Sequence, residues 1–187
     1  MRIISGILKG KKILLPKDKL TRPLRDLVKE SIFNVLKHSN KILFSMENSN
    51  ILDLFSGSGS FGLEAFSRGA KKITFVENYF LAFEILKKNI NELKCQKFCE
   101  VLNQNCFDFI ENIDTEYFSF DIIFMDPPYK EKKINKLLKS IIDKKILNNN
   151  GTIIIHRHKN ENLDLPVELK VVEQKLYGIS KITFCKL

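Results

Sequence analysis

The 187-residue sequence contains no tryptophan, only four cysteines and three histidines, and no long apolar run. Its longest apolar run, around residues 153–155, has the length of a strand and falls far short of the ~20 residues of a membrane span. The first residues lack a charged leader followed by an apolar stretch and a small-residue cleavage site. These absences predict a soluble, cytoplasmic protein without membrane contact.

The cysteines and histidines are not spaced as zinc ligands. They are Cys95, Cys99, Cys106, Cys185, His38, His156 and His158. Because a structural zinc site needs four closely grouped ligands, we expect reduced thiols and no metal centre.

The formal net charge of +9 is concentrated at one end of the chain. Residues 1–41 carry eleven Lys or Arg residues against three acids, whereas the remainder carries 20 basic and 19 acidic residues. Clustered basic charge is typical of proteins that bind a polyanion, and Arg suits phosphate especially well. We therefore predict a basic extension over residues 1–41 that binds RNA, although a merely solvated Lys-rich end is the alternative. The residues expected to contact RNA are Arg2, Lys9, Lys11, Arg22 and Arg25.

From residue 50 onward, short β-rich runs alternate with helix-like stretches. The runs cover residues 51–55, 72–77, 98–103, 120–125, 152–156, 169–176 and 179–186. Strands separated by helices predict a parallel α/β sheet. The last two runs are joined only by Tyr177 and Gly178, which is too short for a crossover and predicts an antiparallel hairpin. We thus expect one domain over residues 42–187 with a mostly parallel, seven-stranded sheet.

The extension has its own local pattern. Residues 3–15 predict a short β-ribbon and residues 16–23 a loop. Val28, Ile32 and Val35 mark a helix that begins after Pro23 and ends near His38. Since this segment buries little apolar area alone, we expect it to pack on the domain.

A glycine turn follows the first strand run, from Asp53 to Gly62, with the pattern GxGxxG. This pattern alone suits a dinucleotide site equally well. An acid at Asp53 would repel a pyrophosphate, but it can accept hydrogen bonds from the ammonium group of S-adenosylmethionine. The expected cofactor contacts from this turn are Asp53, Phe55, Gly57, Ser58 and Gly59.

Glu77 ends the second strand run, 20 residues after Gly57. A carboxylate at that place can hold the ribose hydroxyls of an adenosine moiety, in NAD as well as in S-adenosylmethionine. Asn78 lies next to it and is expected to contact the adenine. The spacing therefore predicts a nucleoside ligand.

The sequence Asp126, Pro127, Pro128, Tyr129 directly follows the fourth strand run. Two prolines give a stiff turn whose carbonyls are pure acceptors. Together, the Asp126 carboxylate and the Pro127 carbonyl can hold one planar amino group and direct its lone pair at a methyl donor. An aromatic ring at residue 129 can stack on an extruded base. These four residues are therefore the predicted catalytic residues of an amine methyltransferase.

The chain resembles the RsmD family of bacterial 16S rRNA (guanine-N2)-methyltransferases along essentially its whole length. The resemblance rests on residues 2–6 with 9–10, residues 21–23 with Glu30, Phe33 and Asn34, residues 53–59 with 62–64, residues 67–70 and residues 126–129. It implies a Rossmann-like class I methyltransferase fold, S-adenosylmethionine as methyl donor and a guanine of 16S rRNA as acceptor. We expect the 16S rRNA to be bound in a small-subunit or assembly particle, with free rRNA as the open alternative. A monomer is expected.

Three segments depart from the family pattern. Asn105 and Cys106 replace Asp-Ala after the third strand, and we expect both to contact the cofactor still. Leu24 and Arg25 replace a threonine and a serine that would cap the helix. His156, Arg157 and His158 stand where the family tends to an acid, and we predict a solvated strand end there, with a catalytic base as the alternative. Alternatives that stay open are adenine amino-methylation of RNA or DNA, an NAD-type oxidoreductase, and an RNA-binding protein with a vestigial pocket.

Overall fold

A computed structural model describes residues 1–18, 23–128 and 130–187. The strands are β1 (Asn50–Leu54), β2 (Lys72–Val76), β3 (Cys99–Leu102), β4 (Phe120–Met125), β5 (Leu147–His158), β6 (Lys170–Tyr177) and β7 (Ser180–Lys186). The helices are α1 (Asp26–His38), α2 (Ser60–Ser67), α3 (Phe80–Glu92), α4 (Cys106–Asn112) and α5 (Ile134–Asp143). The predicted mostly parallel α/β sheet with a C-terminal hairpin is confirmed.

The seven strands lie in the order β3-β2-β1-β4-β5-β7-β6. The pairs among β1 to β5 are parallel, while β7 runs antiparallel to both β5 and β6. The strand order reverses between β1 and β4, and ligands of open α/β sheets bind in the crevice at such a reversal. The topology therefore places the site at the carboxyl ends of β1 and β4.

Strand β5 is longer than its sequence pattern predicted, because it begins at Leu147 rather than Thr152. The added residues include Asn148, whose Nδ2 donates a 2.8 Å hydrogen bond to Oδ1 of Asp121 in β4. The pairing of β4 with β5 shifts register between Phe120 and Ile122. Polar residues thus extend the strand through a side-chain contact that an apolar pattern does not reveal.

Both faces of the sheet carry a packed core. Ile51 of β1 packs in a cluster with side chains of α1, α2 and α3. Leu52 and Leu54 pack on the other side with side chains of α4 and α5. Alternate residues of one strand therefore enter opposite layers, and the central strands are held rigidly from both sides.

The N-terminal extension shares the first of these cores. Ile3 and Ile13 are buried in the cluster that contains α2 and α3. The predicted ribbon is short, with an antiparallel bridge between Arg2 and Lys12. Gly6 lies so close to the end of α2 that an added Cβ would stand 1.7 Å from the Ser67 carbonyl oxygen. The described part of the extension is thus an integral wall of the domain, while a boundary at residue 41 stays a prediction.

A buried ion pair fastens the extension to α2. Lys29 of α1 and Glu64 of α2 have fully buried side chains, with Nζ 3.4 Å from Oε2. The Glu64 carboxylate also accepts hydrogen bonds from the backbone N–H groups of Ile4 at 2.7 Å and Ser5 at 3.0 Å, and from Nε of Arg68 at 2.8 Å. Burial lowers the pKa of Lys29, and the Glu64 charge opposes that shift. Each member satisfies groups that would otherwise be buried without a partner.

None of the helices in residues 1–18, 23–128 and 130–187 is long and apolar enough to cross a membrane. All four cysteines are free thiols, and the Sγ atoms of Cys95 and Cys99 are 3.8 Å apart.

Candidate cofactor and substrate site

A cavity of about 580 Å³ opens at the carboxyl ends of β1, β2 and β4. Its volume lies within the ~300–1,000 Å³ range of small-molecule sites. The predicted site residues that line it are Asp53, Phe55, Gly57, Ser58, Glu77, Asn78, Asp126, Pro127 and Pro128. The structure therefore brings together side chains from three separate sequence segments, as expected from the topology.

The glycine turn reaches the cavity through an unusual backbone path. Phe55, Gly57 and Gly59 all have positive φ angles, of 63°, 55° and 82°. An added Cβ at Gly59 would stand 2.3 Å from Cδ1 of Leu86 in α3. Gly59 is thus required by its backbone conformation and by packing, whereas Gly57 and Ser58 line the cavity. The predicted contact of Gly59 with the cofactor stays a prediction.

Asp53 lies at the end of β1 with only 1% of its surface exposed. Its Oδ2 accepts a 3.0 Å hydrogen bond from the Gly62 N–H in the first turn of α2. Burial raises the pKa of Asp53 well above its usual range, and the nearby charges of Asp126 and Glu77 raise it further, against the Gly62 hydrogen bond. A cation in the cavity would offset this cost by stabilising the carboxylate.

Glu77 joins the turns that follow β1 and β2. Its Oε2 accepts a 2.6 Å hydrogen bond from the Gly57 N–H, and its Oε1 accepts one of 2.7 Å from the Tyr79 N–H. Burial raises the pKa of Glu77, while hydrogen bonds from Tyr79, Gly57 and Asn78 counteract the shift. Each carboxylate oxygen has a further lone pair, so Glu77 can hold its turn and accept from ribose hydroxyls together.

The turn that follows β4 and begins at Asp126 contacts two side chains of β5. Nδ1 of His156 lies 2.8 Å from Oδ1 of Asp126, with 2% and 17% of their side chains exposed. Arg157 donates from Nη1 to the Pro128 carbonyl at 3.0 Å and from Nη2 to the Glu131 carbonyl at 3.1 Å. Tyr129, the fourth predicted catalytic residue, lies outside the described residues.

The prediction of a solvated strand end at residues 156–158 is wrong for His156 and Arg157. Both are buried, with 2% and 7% of their surface exposed, and His158 is half-buried. His156 pairs with Ile182 of β7, which covers one side of β5 while β4 covers the other. The polar sequence His-Arg-His resembles a surface segment, but the central place of β5 in the sheet buries it.

Asn105 and Cys106 begin α4 rather than line the cavity. The Asn105 Oδ1 accepts a 2.8 Å hydrogen bond from the Phe107 N–H, which caps the helix. Cys106 is buried, and this burial raises the pKa of its thiol to about 12. Neither residue is among those that line the cavity in the described part of the chain. Their contact with the cofactor stays a prediction.

The basic residues of the extension lie on its surface. Arg2, Lys9, Lys11 and Arg25 are exposed, and Nε of Arg2 is 3.8 Å from Oδ2 of Asp26. Arg22 lies outside the described residues. Contact of these side chains with RNA stays a prediction.

The extension also lines the cavity, which sequence patterns did not predict. Leu15, Pro16, Pro23 and Leu24 form part of its wall. Asn89 of α3 connects this wall to the glycine turn. The side chain of Asn89 donates to the Ser58 carbonyl at 2.9 Å and to the Leu14 carbonyl at 3.1 Å, and accepts from the Leu14 N–H at 2.8 Å. The sequence did contain a signal for this contact, because Asn89 is a polar residue on the apolar side of α3, next to Ile90.

These side chains fit S-adenosylmethionine. Asp53 and Glu77 are buried acids with raised pKa values in one cavity, so an ammonium group and ribose hydroxyls would relieve the cost of burying them. Phe55, Phe61 and Ala82 supply apolar surface for the rest of an adenosyl ligand.

Comparisons with known proteins agree with this geometry. A family model described as Conserved hypothetical protein 95 matches residues 1–186. The "Ribosomal RNA small subunit methyltransferase D" of Haemophilus influenzae is 34% identical over 96% of this chain and 90% of its own length. The structure "Putative methyltransferase yhhF from Escherichia coli" aligns with a TM-score of 0.84 at 27% identity over 99% of this chain and 96% of that one.

A more distant structure shows the shared fold. The methyltransferase SMU.776, complexed with SAH, aligns with a TM-score of 0.66 at 19% identity over 82% of this chain and 49% of that one. With a family match over almost its entire length, the chain belongs to the Conserved hypothetical protein 95 family, the RsmD family of S-adenosylmethionine-dependent methyltransferases that its motifs indicated.

Proposed function

We propose that this protein methylates the exocyclic 2-amino group of a guanine in 16S rRNA. The observation that carries the proposal is the placement of Asp126 and Pro127 in the same cavity as Asp53 and Glu77. Two hydrogen-bond acceptors for one amino group, the Asp126 carboxylate and the Pro127 carbonyl, therefore lie in the same cavity as the expected cofactor contacts. The relative named for small-subunit ribosomal RNA methylation supports rRNA as the substrate class.

In the proposed reaction, the protein positions a weak nucleophile. The amino group of guanine is planar because its lone pair is delocalised, and hydrogen bonds to Asp126 and to the Pro127 carbonyl would help to pyramidalise it. S-adenosylmethionine supplies an electrophilic methyl group when bound and would leave as the neutral thioether, whose sulfur keeps the electrons of the broken S–C bond. The methylated nitrogen would then lose one proton to solvent. The turn is rigid because its prolines fix φ and because Arg157 binds the Pro128 carbonyl, so little reorganisation is needed as charge develops.

The experiment that tests the substrate is mass spectrometry of rRNA from a deletion strain. Loss of one N2-methylguanine from 16S rRNA is the expected result, and re-expression of the protein should restore it. Loss of a methylated adenine instead would favour adenine amino-methylation, since the same acceptor pair can hold any planar exocyclic amine.

We further propose that the enzyme acts as a cytoplasmic monomer on a small-subunit assembly particle.

Cofactor binding should release protons from Asp53. Because burial raises its pKa, Asp53 in the free enzyme holds its proton to a higher pH than an ordinary carboxyl group does, and the positive charges of S-adenosylmethionine would favour the carboxylate. The pKa of Asp53 is then lower with the cofactor bound than without it. Up to about one proton is therefore released when binding takes place at a pH between these two pKa values. Titration calorimetry in buffers of different ionisation enthalpy measures this release.

The control for proton release is Asp53→Asn, which keeps an acceptor for the Gly62 N–H but has no proton to lose. It should bind S-adenosylmethionine more weakly and show a smaller buffer dependence. An equal proton release by this variant and the wild type would refute the assignment of Asp53.

Replacing Arg2, Arg22 and Arg25 together by Ala should weaken RNA binding and flatten its salt dependence. Each lost phosphate contact lowers the slope of log K against log salt by about 0.7 to 0.9. Cofactor affinity and the methylated position should not change, because phosphate contacts carry little sequence information. RNA affinity measured across a salt series, with a thermal melt, tests this prediction.

A matched control for the arginine variant removes three exposed lysines outside the extension, namely Lys71, Lys97 and Lys139. This control lowers the net charge equally. If both variants change the salt slope alike, or if the arginine variant only melts earlier, the extension does not bind RNA through these side chains.

A further inference from the structure

We propose that His156 is a positioning residue, whose Nδ1 contacts Oδ1 of Asp126 and so orients the carboxylate toward the amino group of the substrate. The inference rests on the proposed role of Asp126 as amine acceptor. It assigns a function to a side chain that the sequence pattern placed in solvent.

The strand register brings the two side chains together. Met125 at the end of β4 pairs with Ile155 of β5 in parallel register. The next residues along these two strands are Asp126 and His156, so their side chains emerge side by side from one face of the sheet. Nδ1 and Oδ1 are 2.8 Å apart, and the histidine is the more deeply buried partner. Rigid strands therefore hold the contact.

Asp126 needs such a partner because its surroundings are acidic. Its charge is one of those that raise the pKa of Asp53, so the two carboxyl groups interact across the cavity. The buried imidazole, which contacts Oδ1 at 2.8 Å, restricts the rotation of the carboxylate group. The lone pairs of Oδ2 are then available to the amino group in one defined direction.

Arg157, the next residue of β5, contacts the other end of the turn that begins at Asp126. Arg157 is buried, with 7% of its surface exposed, and its guanidinium donates to the carbonyls of Pro128 and Glu131. Consecutive residues of β5 thus hold the carboxylate and the backbone of the acceptor turn. This arrangement matches the requirement that a reacting group be positioned by side chains that are themselves fixed.

Two variants separate positioning from packing. His156→Leu fills most of the buried space but removes the polar contact with Oδ1, whereas the side-chain amide of His156→Asn places a nitrogen where Nδ1 stands. We expect His156→Leu to lower kcat by roughly tenfold or more, as is usual when an orienting partner is lost, with KM for RNA nearly unchanged. His156→Asn should recover most of that loss. Ile154→Ala, in the same strand, controls for weakened packing.

Nitrogen-15 NMR of the histidine ring gives a direct readout. Nδ1 of His156 should carry a proton in the wild-type protein, and the Asp126→Ala variant should lose that preference. An unprotonated Nδ1 in the wild type, or equal kcat values for the Leu and wild-type proteins, would overturn the inference.

The role of Asp126 itself is tested separately. If Asp126→Ala keeps the wild-type rate, the proposed function of the turn fails, and the inference fails with it. If Asp126→Ala loses activity while His156→Leu does not, only the inference fails. In an Asp126→Ala background, His156→Leu should cause no further loss, because its effect is transmitted through the missing carboxylate.

Discussion

Asp126→Ala is expected to lower the rate of methyl transfer by at least about 10² to 10³, the usual cost of removing one preorganised hydrogen-bonding group from a reaction centre. In the proposed reaction, the hydrogen bond from the amino group to Asp126 would strengthen as the nitrogen develops positive charge, so it would contribute more in the transition state than in the bound complex. Affinities for S-adenosylmethionine and RNA should therefore change little. Single-turnover transfer of a labelled methyl group, with separate binding measurements, tests this expectation.

Asp126→Asn is the matched control for the rate measurement. It keeps one acceptor oxygen and nearly the same shape, and it should retain more activity than the Ala variant. Turnover of Asp126→Ala within about tenfold of wild type would correspond to only ~1.4 kcal/mol of barrier and would contradict the proposed role.

Glu64→Ala is expected to cause the largest loss of stability, about 3–5 kcal/mol in the free energy of unfolding. The substitution leaves the fully buried Lys29 without its carboxylate and removes the acceptor of the Ile4 and Ser5 N–H groups. For a chain of this size the melting temperature should fall by roughly 6–20 °C. Denaturant unfolding and calorimetry measure both quantities.

Lys136→Ala provides the contrast for the buried pair. Lys136 and Glu111 form an exposed ion pair 3.1 Å long, with 66% and 50% of their side chains accessible. Because solvent screens such a pair, the loss should stay below about 1 kcal/mol. If the two substitutions destabilise the protein equally, the network around Glu64 does not hold the extension on the domain.

The strands could be predicted because their apolar content reports burial directly. The run at residues 120–125 became β4 with the same bounds, and the short link before residue 179 correctly indicated a hairpin. The asparagines that open β5 carry no such signal, since their pairing depends on Asp121 across the sheet. Local patterns thus identified the strands but missed an extension held by one side-chain contact.

The candidate site could be predicted only in part, for the same physical reason. Asp53, Glu77 and Asp126 follow apolar strand runs, and the topology rule places such residues at one edge. His156 follows an apolar run as well, but its polar neighbours favoured solvent, and only the position of β7 shows that it is covered. The contribution of Leu15 and Leu24 to the cavity could not be predicted, because it depends on how the extension docks.

The residues through which the extension contacts the domain are far apart in the sequence, and this separation sets an order of events during synthesis. Leu14 meets Asn89 across 75 residues, and Ser5 meets Glu64 across 59. At translation rates of about 5–20 residues per second, the first segment to leave the ribosome precedes its partner by ~3–15 s. The extension that forms one wall of the cavity is therefore translated first, but it can dock only after α2 and α3 have been made.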